Sequence, residues 1–237
     1  MITMMAEGIL QDQIDYYRAR AGEYDEWWFR TGRYDRSPEL NAQWRAEVAT
    51  VEAALDRWLT ERRPRSLLEL ACGTGLFTRH LAPRVPHMTA IDASAEVLAI
   101  NAARVAASNV DYVESDLFAW RPAARYDAVF FSFWLSHVPE ERFEGFWEIV
   151  RSALTPGGAA YLIDSAFDPT STAKDHVLTS ADAGVVTRKL NDGREFRIVK
   201  FFHRPAELAA KLARLGWRAD IGQTQRYFIY GEATPEA

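Results

Sequence analysis

The chain has 237 residues, of which 48% are apolar and 26% charged, a globular balance that excludes a disordered chain, a collagen-like fibre and a coiled coil. Its formal charge of -5 argues against general nucleic-acid binding, which needs a basic face for phosphates. No stretch approaches ~18 apolar residues, so no membrane span is expected.

Met1 to Gly8 lacks the basic flank and apolar run of a secretory signal. A lone Cys72 cannot close an internal disulfide and offers no cysteine metal cage. A reducing, cytoplasmic setting and no metal site are therefore expected. Residues 9–34 are polar but crowded with rings, and read as a short helix running into an irregular aromatic segment. Ser37 can cap the next helix, with Pro38 in its first position. Leu40, Trp44, Val48, Val51, Leu55, Trp58 and Leu59 then recur at helical spacing as far as about Pro64.

From there short apolar runs alternate with helices. Ser66–Ala71, His87–Asp92, Val110–Val113, Tyr126–Phe131 and Ala159–Asp164 read as strands. Helices fall at Leu76–Leu81, from Ser94 to about Ala107, and from Pro139 through Leu154. Continuous apolar strands alternating with helices mean a parallel sheet covered on both faces, and right-handed crossovers make it doubly wound. Residues 165–183 are polar and irregular. Val185–Leu190 and Arg194–Phe202 flank Asn191-Asp192-Gly193 as a hairpin. A helix from Ala206 to about Leu215 and strands at Trp217–Ile221 and Tyr227–Tyr230 close the chain. One domain is expected over residues 1–237: an N-terminal lid (1–36), a cofactor-binding core (60–165), a substrate-cap insertion (166–204) and a C-terminal helix with closing strands (205–237).

The segment ELACGTG, Glu69 to Gly75, places two glycines where a strand must turn sharply and let a ligand approach its backbone. Asp92 ends the second strand, where a carboxylate can accept both ribose hydroxyl protons. Asp116, followed by Leu117, can take an adenine amino group and cover the ring edge. A dinucleotide site wants a small residue three past Gly75, and Thr78 stands there. Glu69 inside the strand suits a ligand with an amino group and would repel a pyrophosphate. S-adenosylmethionine carries an amino group, a carboxylate, a ribose, an adenine and no phosphate. Taken singly, Asp92 and Asp116 also read as capping and turn residues.

ELACGTG, the AID acid, the ESDLF segment and the TPGG turn resemble class I S-adenosylmethionine-dependent methyltransferases over about residues 65–165. The resemblance implies a Rossmann-like α/β fold with a doubly wound, mostly parallel, seven-stranded sheet. It implies S-adenosylmethionine as methyl donor and S-adenosylhomocysteine as product. Glu69, Gly73 and Gly75 would hold the methionine part, Asp92 with Ala93 the ribose, Asp116 and Leu117 the adenine, and Ser132 would lie near the sulfonium. DYYRARAGEYD, FFSFWLSHVPEERFEGFWEIVRSALTPGG, RKLNDGREFRIVKFF and PAELAAKLARLGW further resemble phosphonate O-methyltransferases of the dehydrophos type, which implies O-methylation of a small acid.

The segment 184–204 carries a net charge of +4 within a chain of -5. A basic patch in an acidic protein can select and steer an anion, and one cation at ~4 Å is worth about 4 kcal/mol at an effective dielectric near 20. Alternation puts Arg194, Phe196, Ile198 and Lys200 on one face and Glu195, Arg197, Val199 and Phe201 on the other. It does not say which face looks inward, and a solvated strand face is the alternative. Arg188, Arg197 and Lys200 are the substrate-binding candidates, with Trp28 and Trp134 as pocket walls or core. Tyr17 and Tyr24 can close over a sulfonium and Arg20 can pair with the methionine carboxylate, or these rings pack on the core or a partner subunit. His137 reads as base or orienter, or as a loop and capping residue.

The expectation is an O-methyltransferase for a small anionic metabolite of natural-product type. The alternatives are methylation of a neutral hydroxyl or amine with His137 as base, a nicotinamide oxidoreductase, and a non-catalytic adenosylmethionine binder. The expected partner is a small-molecule substrate, with neither nucleic acid nor membrane, and a homodimer stays open.

Overall fold

A computed structural model describes residues 2–176 and 184–236. Helix α1 spans Ile2–Arg20, α2 Asp25–Phe29 and α3 Pro38–Arg62. The strands of the main sheet are β1 (Ser66–Leu70), β2 (His87–Asp92), β3 (Val110–Glu114), β4 (Tyr126–Ser132), β5 (Leu154–Ser165), β8 (Trp217–Gln223) and β9 (Phe228–Pro235). Between them run α4 (Thr78–Leu81), α5 (Ala95–Val105), α6 (Glu140–Ala153) and α7 (Pro205–Arg214). Strand order is β3-β2-β1-β4-β5-β9-β8, with β9 antiparallel to both neighbours. This is the expected doubly wound, mostly parallel, seven-stranded sheet.

Alternate strand residues bury into opposite layers. Leu67, Ala90 and Phe130 join Trp44, Leu55 and Phe77 on one face. Leu68, Ile91 and Phe131 join Phe146, Trp147 and Leu212 on the other. Fully burying a side chain such as Phe130 or Phe131 contributes about 1.5–3 kcal/mol. The strand order reverses between the parallel neighbours β1 and β4, and ligands of such sheets bind in the crevice beyond the strand ends at that point.

The predicted caps are present: the Ser37 hydroxyl accepts from Leu40 N and the Ser94 hydroxyl from Val97 N. Two elements differ from expectation. Helix α1 is 19 residues long, not short. Strand β5 starts at Leu154, running through Pro156-Gly157-Gly158 with an irregular register against β4, where a turn was expected. The expected hairpin is present as a separate two-stranded sheet, β6 (Gly184–Lys189) with β7 (Glu195–Lys200), and Gly193 takes φ +91° in its turn. The expected irregular segment 165–183 lies partly, at 177–183, outside the described residues. Among the described residues no helix is long and apolar enough to cross a membrane, and no cluster of His, Cys, Asp and Glu could hold a metal.

Candidate active site

The first of two adjoining cavities lies over the C-terminal ends of β1, β2 and β4, roofed by α1. Gly73, Asp92, Ala93, Asp116, Leu117, Ser132 and Phe133 line it, and α1 adds Gln13 and Tyr17. The loop after β1 is held from beneath. Asn101 Nδ2 donates to Gly73 O at 3.0 Å and to Thr78 Oγ1 at 2.8 Å. Thr78 Oγ1 donates onward to Glu69 Oε2 at 2.6 Å. Asp92 accepts from Gly73 N at 3.0 Å and Ser94 N at 3.2 Å. Burial raises its carboxyl to about 6 against the pull of those N–H groups. Ala71 and Phe133, just past β1 and β4, take φ of +52° and +53° and both line the cavity. A left-handed backbone on non-glycine residues costs on the order of 1 kcal/mol or more each, and such strain gathers at functional sites.

The second cavity lies between α1, the hairpin and the end of β5. Its walls include Tyr16, Tyr34, Thr172, Arg20, Arg188 and Lys200. The three cations are each less than a tenth exposed. Arg20 donates to Tyr34 Oη at 3.0 Å and lies 4.8 Å from the Tyr24 ring centre. Arg188 donates to Thr172 Oγ1 at 3.0 Å, and His176 backs both. Lys200 Nζ donates to Ser136 Oγ at 2.7 Å. Burial lowers the Lys200 ammonium to about 8, with Asp164 at 3.9 Å opposing the shift. Among the described residues, Asp164 is the one carboxylate within ion-pair reach of these three cations.

Tyr17, Tyr24, Phe133 and His137 line both cavities. His137 Nδ1 lies 2.7 Å from Val199 O, and Nε2 lies 2.7 Å from the Tyr17 hydroxyl. A carbonyl only accepts, so Nδ1 carries a proton. Burial, then Lys200 and Arg188, hold the imidazole well below its ordinary value, so it is neutral. Nε2 therefore accepts, and Tyr17 donates. Gln13 fastens the same loop, donating to His137 O at 3.3 Å and accepting from Val199 N at 3.2 Å.

The structure gathers most of the predicted residues and corrects the rest. Arg197 projects outward beside Asp12, its side chain 60% exposed, because the Phe196, Ile198 and Lys200 face of β7 turns inward. It is no pocket residue. Trp28 packs among Phe77, Phe133 and Phe228 in the core, and its neighbour Trp27 reaches the second cavity. Trp134 lines the first cavity beside Phe118, not the second. Arg20, expected at the methionine carboxylate, lines the second cavity and not the first. Glu69 and Gly75 lie behind the loop and do not line either cavity. Tyr16, Tyr34, Thr172 and Ser136 went unread. Only the ring density of residues 9–34 signalled any of them.

Residues 67–158 match the family described as Methyltransferase domain. A ubiquinone biosynthesis O-methyltransferase of Xylella fastidiosa is 32% identical over 178 residues, 72% of this chain and 69% of that one. A trans-aconitate 2-methyltransferase of Streptomyces avermitilis is 30% identical over 172 residues, 69% of this chain and 61% of the relative. Across nearly the whole chain the structure is similar to that of DhpI, solved as an SAH complex and as a SAM-HEP complex. The SAH complex has a TM-score of 0.77 and 39% identity, covering 97% of this chain and 98% of the other. The chain belongs to the class I S-adenosylmethionine-dependent methyltransferases.

Proposed function

We propose that this methyltransferase acts on an oxygen of a small acid, a phosphonate or a carboxylate, seated in the second cavity. The observation that carries this reading is the trio Arg20, Arg188 and Lys200, buried with Asp164 as the one carboxylate within ion-pair reach among the described residues. Buried charges of one sign are costly unless they are paired, and an anionic ligand supplies the missing partner. The name of the ubiquinone biosynthesis O-methyltransferase relative agrees with an oxygen acceptor, and that of the trans-aconitate 2-methyltransferase relative with an acid as substrate.

The residues of the first cavity fit the methyl donor. A Cβ at Gly73 would meet no atom of the described residues within 4 Å, so the backbone there faces open space. Behind the loop, Glu69 Oε1 is buried with no hydrogen-bond partner among the described residues, and burial raises its carboxyl to about 8, so it leaves an open acceptor beneath the turn that would carry the donor's amino group. Asp92 presents its carboxylate at the tip of β2, and Asp116 with Leu117 at the next turn. In this reading Gly73 holds the amino-acid end with Glu69 supporting the loop from behind, Asp92 and Ala93 hold the ribose, and Asp116 and Leu117 the adenine. Ser132 lies toward the sulfonium, with Tyr17 and Tyr24 closing over it from the lid.

S-adenosylmethionine, when bound, supplies a methyl group on a cationic sulfur, and the carbon–sulfur electron pair remains on sulfur as the new carbon–oxygen bond forms. Arg188 and Lys200 fix the acceptor by its charge, and Arg20 adds a third contact from the lid. Phosphonates and carboxylates are already ionised at neutral pH, so no proton need be removed. The work left is alignment, worth up to about 7–11 kcal/mol. A neutral acceptor would need His137 as base. Its Nε2 is already engaged by Tyr17 and its protonation opposed by three cations, which argues against that alternative.

Release of S-adenosylhomocysteine, measured against small phosphonates, carboxylates, phenols and amines of similar size, tests the proposal. Turnover is expected with an acid and its loss on esterifying that acid. Turnover confined to neutral phenols or amines would overturn it.

A further inference from the structure

The residues that line both cavities mark where a methyl group must pass from donor to acceptor. Of these, Phe133 offers no side-chain polar atom, the His137 nitrogens are both occupied, and the Tyr24 hydroxyl, which has no hydrogen-bond partner among the described residues, is free to donate as well as accept and has nothing to fix its direction. Tyr17 differs. Its single proton is committed to His137 Nε2, so its phenolic oxygen faces its surroundings only as an acceptor. The ring cannot drift: it stands edge-on to His137 at 5.4 Å and to Tyr16 at 5.0 Å between ring centres. His137 in turn is fixed by Val199 O and by both ends of the Gln13 amide. The pair is thus a rigid hydroxyl oxygen, stripped of its donor capacity, at the junction of the cavities.

A sulfonium methyl has polarised C–H bonds and suits such an acceptor, as weak C–H···O contacts do elsewhere. We infer that the Tyr17 hydroxyl oxygen orients the methyl group of bound S-adenosylmethionine for transfer, and that His137 is a positioning residue that holds this oxygen in place. The inference rests on the first cavity being the donor's site. It assigns the pair no proton transfer. A relay through Tyr17 would leave a charged imidazolium beside Lys200, Arg188 and Arg20, and burial alone already holds the Tyr17 phenol protonated.

S-adenosylmethionine and S-adenosylhomocysteine differ by the methyl and its charge, so their affinity ratio isolates this contact. Calorimetry of both ligands is proposed on the whole chain, on Tyr17→Phe, and on His137→Gln and His137→Leu. Tyr17→Phe keeps the ring and is expected to weaken S-adenosylmethionine about fivefold, leaving S-adenosylhomocysteine within about twofold. His137→Gln keeps an acceptor for the Tyr17 proton and should hold the wild-type ratio better than His137→Leu. An unchanged ratio in Tyr17→Phe would overturn the inference whatever the His137 variants do. Wild-type protein that bound neither ligand would instead overturn the donor-site assignment beneath it.

Discussion

The Lys200 ammonium donates to the Ser136 hydroxyl at 2.7 Å, joining the last residue of β7 to the loop that follows β4. That contact holds a cation at the floor of the second cavity. Burial brings its pKa down to about 8, Asp164 opposes the shift, and Arg188 and Arg20 reinforce it. The sign follows from the charge. Below about pH 8 Lys200 is cationic and attracts an anion, and above it the charge is lost. KM for the acid substrate is expected to be flat up to about pH 7 and to climb as pH passes about 8. Lys200→Met should raise KM throughout and remove the climb. Initial rates against substrate concentration across pH give both results, and a climb that survived in Lys200→Met would assign it to another group.

Removing Arg188 should cost more than removing any exposed cation of the hairpin. Its guanidinium is buried against Thr172, and loss of one partner of a desolvated charge pair costs about 2–5 kcal/mol. Arg188→Ala is therefore expected to raise KM about a hundredfold and to leave the affinity for S-adenosylhomocysteine nearly unchanged. Arg197→Ala should stay within about twofold of wild type, because its exposed pairing with Asp12 at 3.7 Å is weak. Steady-state kinetics and cofactor titration of the two variants side by side make the check.

The contrast between Arg188 and Arg197 shows where the sequence is silent. Period two divides a hairpin into faces, but the inward face is chosen by what docks on it. Here α1 lays Tyr16 against Phe196 at 5.7 Å and thereby buries the Ile198 and Lys200 side. That helix has a weak apolar stripe because its residues are shared between the hairpin and the two cavities, so periodicity shows only part of its length. Trp27 and Trp28 are adjacent, and no local pattern tells which ring faces the core. The strands, by contrast, were legible because parallel strands covered on both faces must be continuously apolar. The Ser37 and Ser94 caps were legible for an equally local reason, one hydroxyl meeting one free backbone N–H. Acids at strand tips could be found from order alone, since topology places every tip at one edge of the sheet. Residues brought in from the lid and from the segment after β5, such as Tyr34 and Thr172, depend on long-range packing that leaves no spacing to read.

Asp92 ties donor affinity to pH in the opposite direction from Lys200. Burial raises its carboxyl to about 6, while Gly73, Ser94 and Ala93 N–H groups favour the charged form. Above that pH it is a carboxylate able to take two hydroxyl protons, and below it one oxygen becomes a donor. Affinity for S-adenosylhomocysteine is expected to fall as pH drops through about 6. Asp92→Asn should bind about ten- to a hundredfold more weakly at pH 7.5, each charged hydrogen bond being worth about 1.5–3 kcal/mol. It should also lose the acid dependence. Calorimetry at pH 5.5 and 7.5 on the two proteins is sufficient.

The two glycines of the turn should fail in different ways when given a methyl group. Gly75 takes φ +87°, and a Cβ there would sit 2.6 Å from Asn101 Oδ1 and 3.3 Å from Asn101 Cα. Asn101 is the hub that holds Gly73 O and Thr78 and accepts from Tyr112, so it cannot yield without releasing the loop. Gly75→Ala is expected to destabilise the fold by about 2–4 kcal/mol, from left-handed strain plus a steric clash, and to lower Tm by several degrees. Gly73 takes φ +55° but its Cβ would meet nothing within 4 Å. Gly73→Ala therefore bears only the strain, about 1–2 kcal/mol, and folds with a methyl projecting where the donor's backbone-facing end belongs. Its melting temperature should move less than that of Gly75→Ala while its affinity for S-adenosylhomocysteine falls further. Thermal unfolding and calorimetry on both variants separate the outcomes. If Gly73→Ala bound S-adenosylhomocysteine as wild type does, the open space at Gly73 would not be the donor's seat.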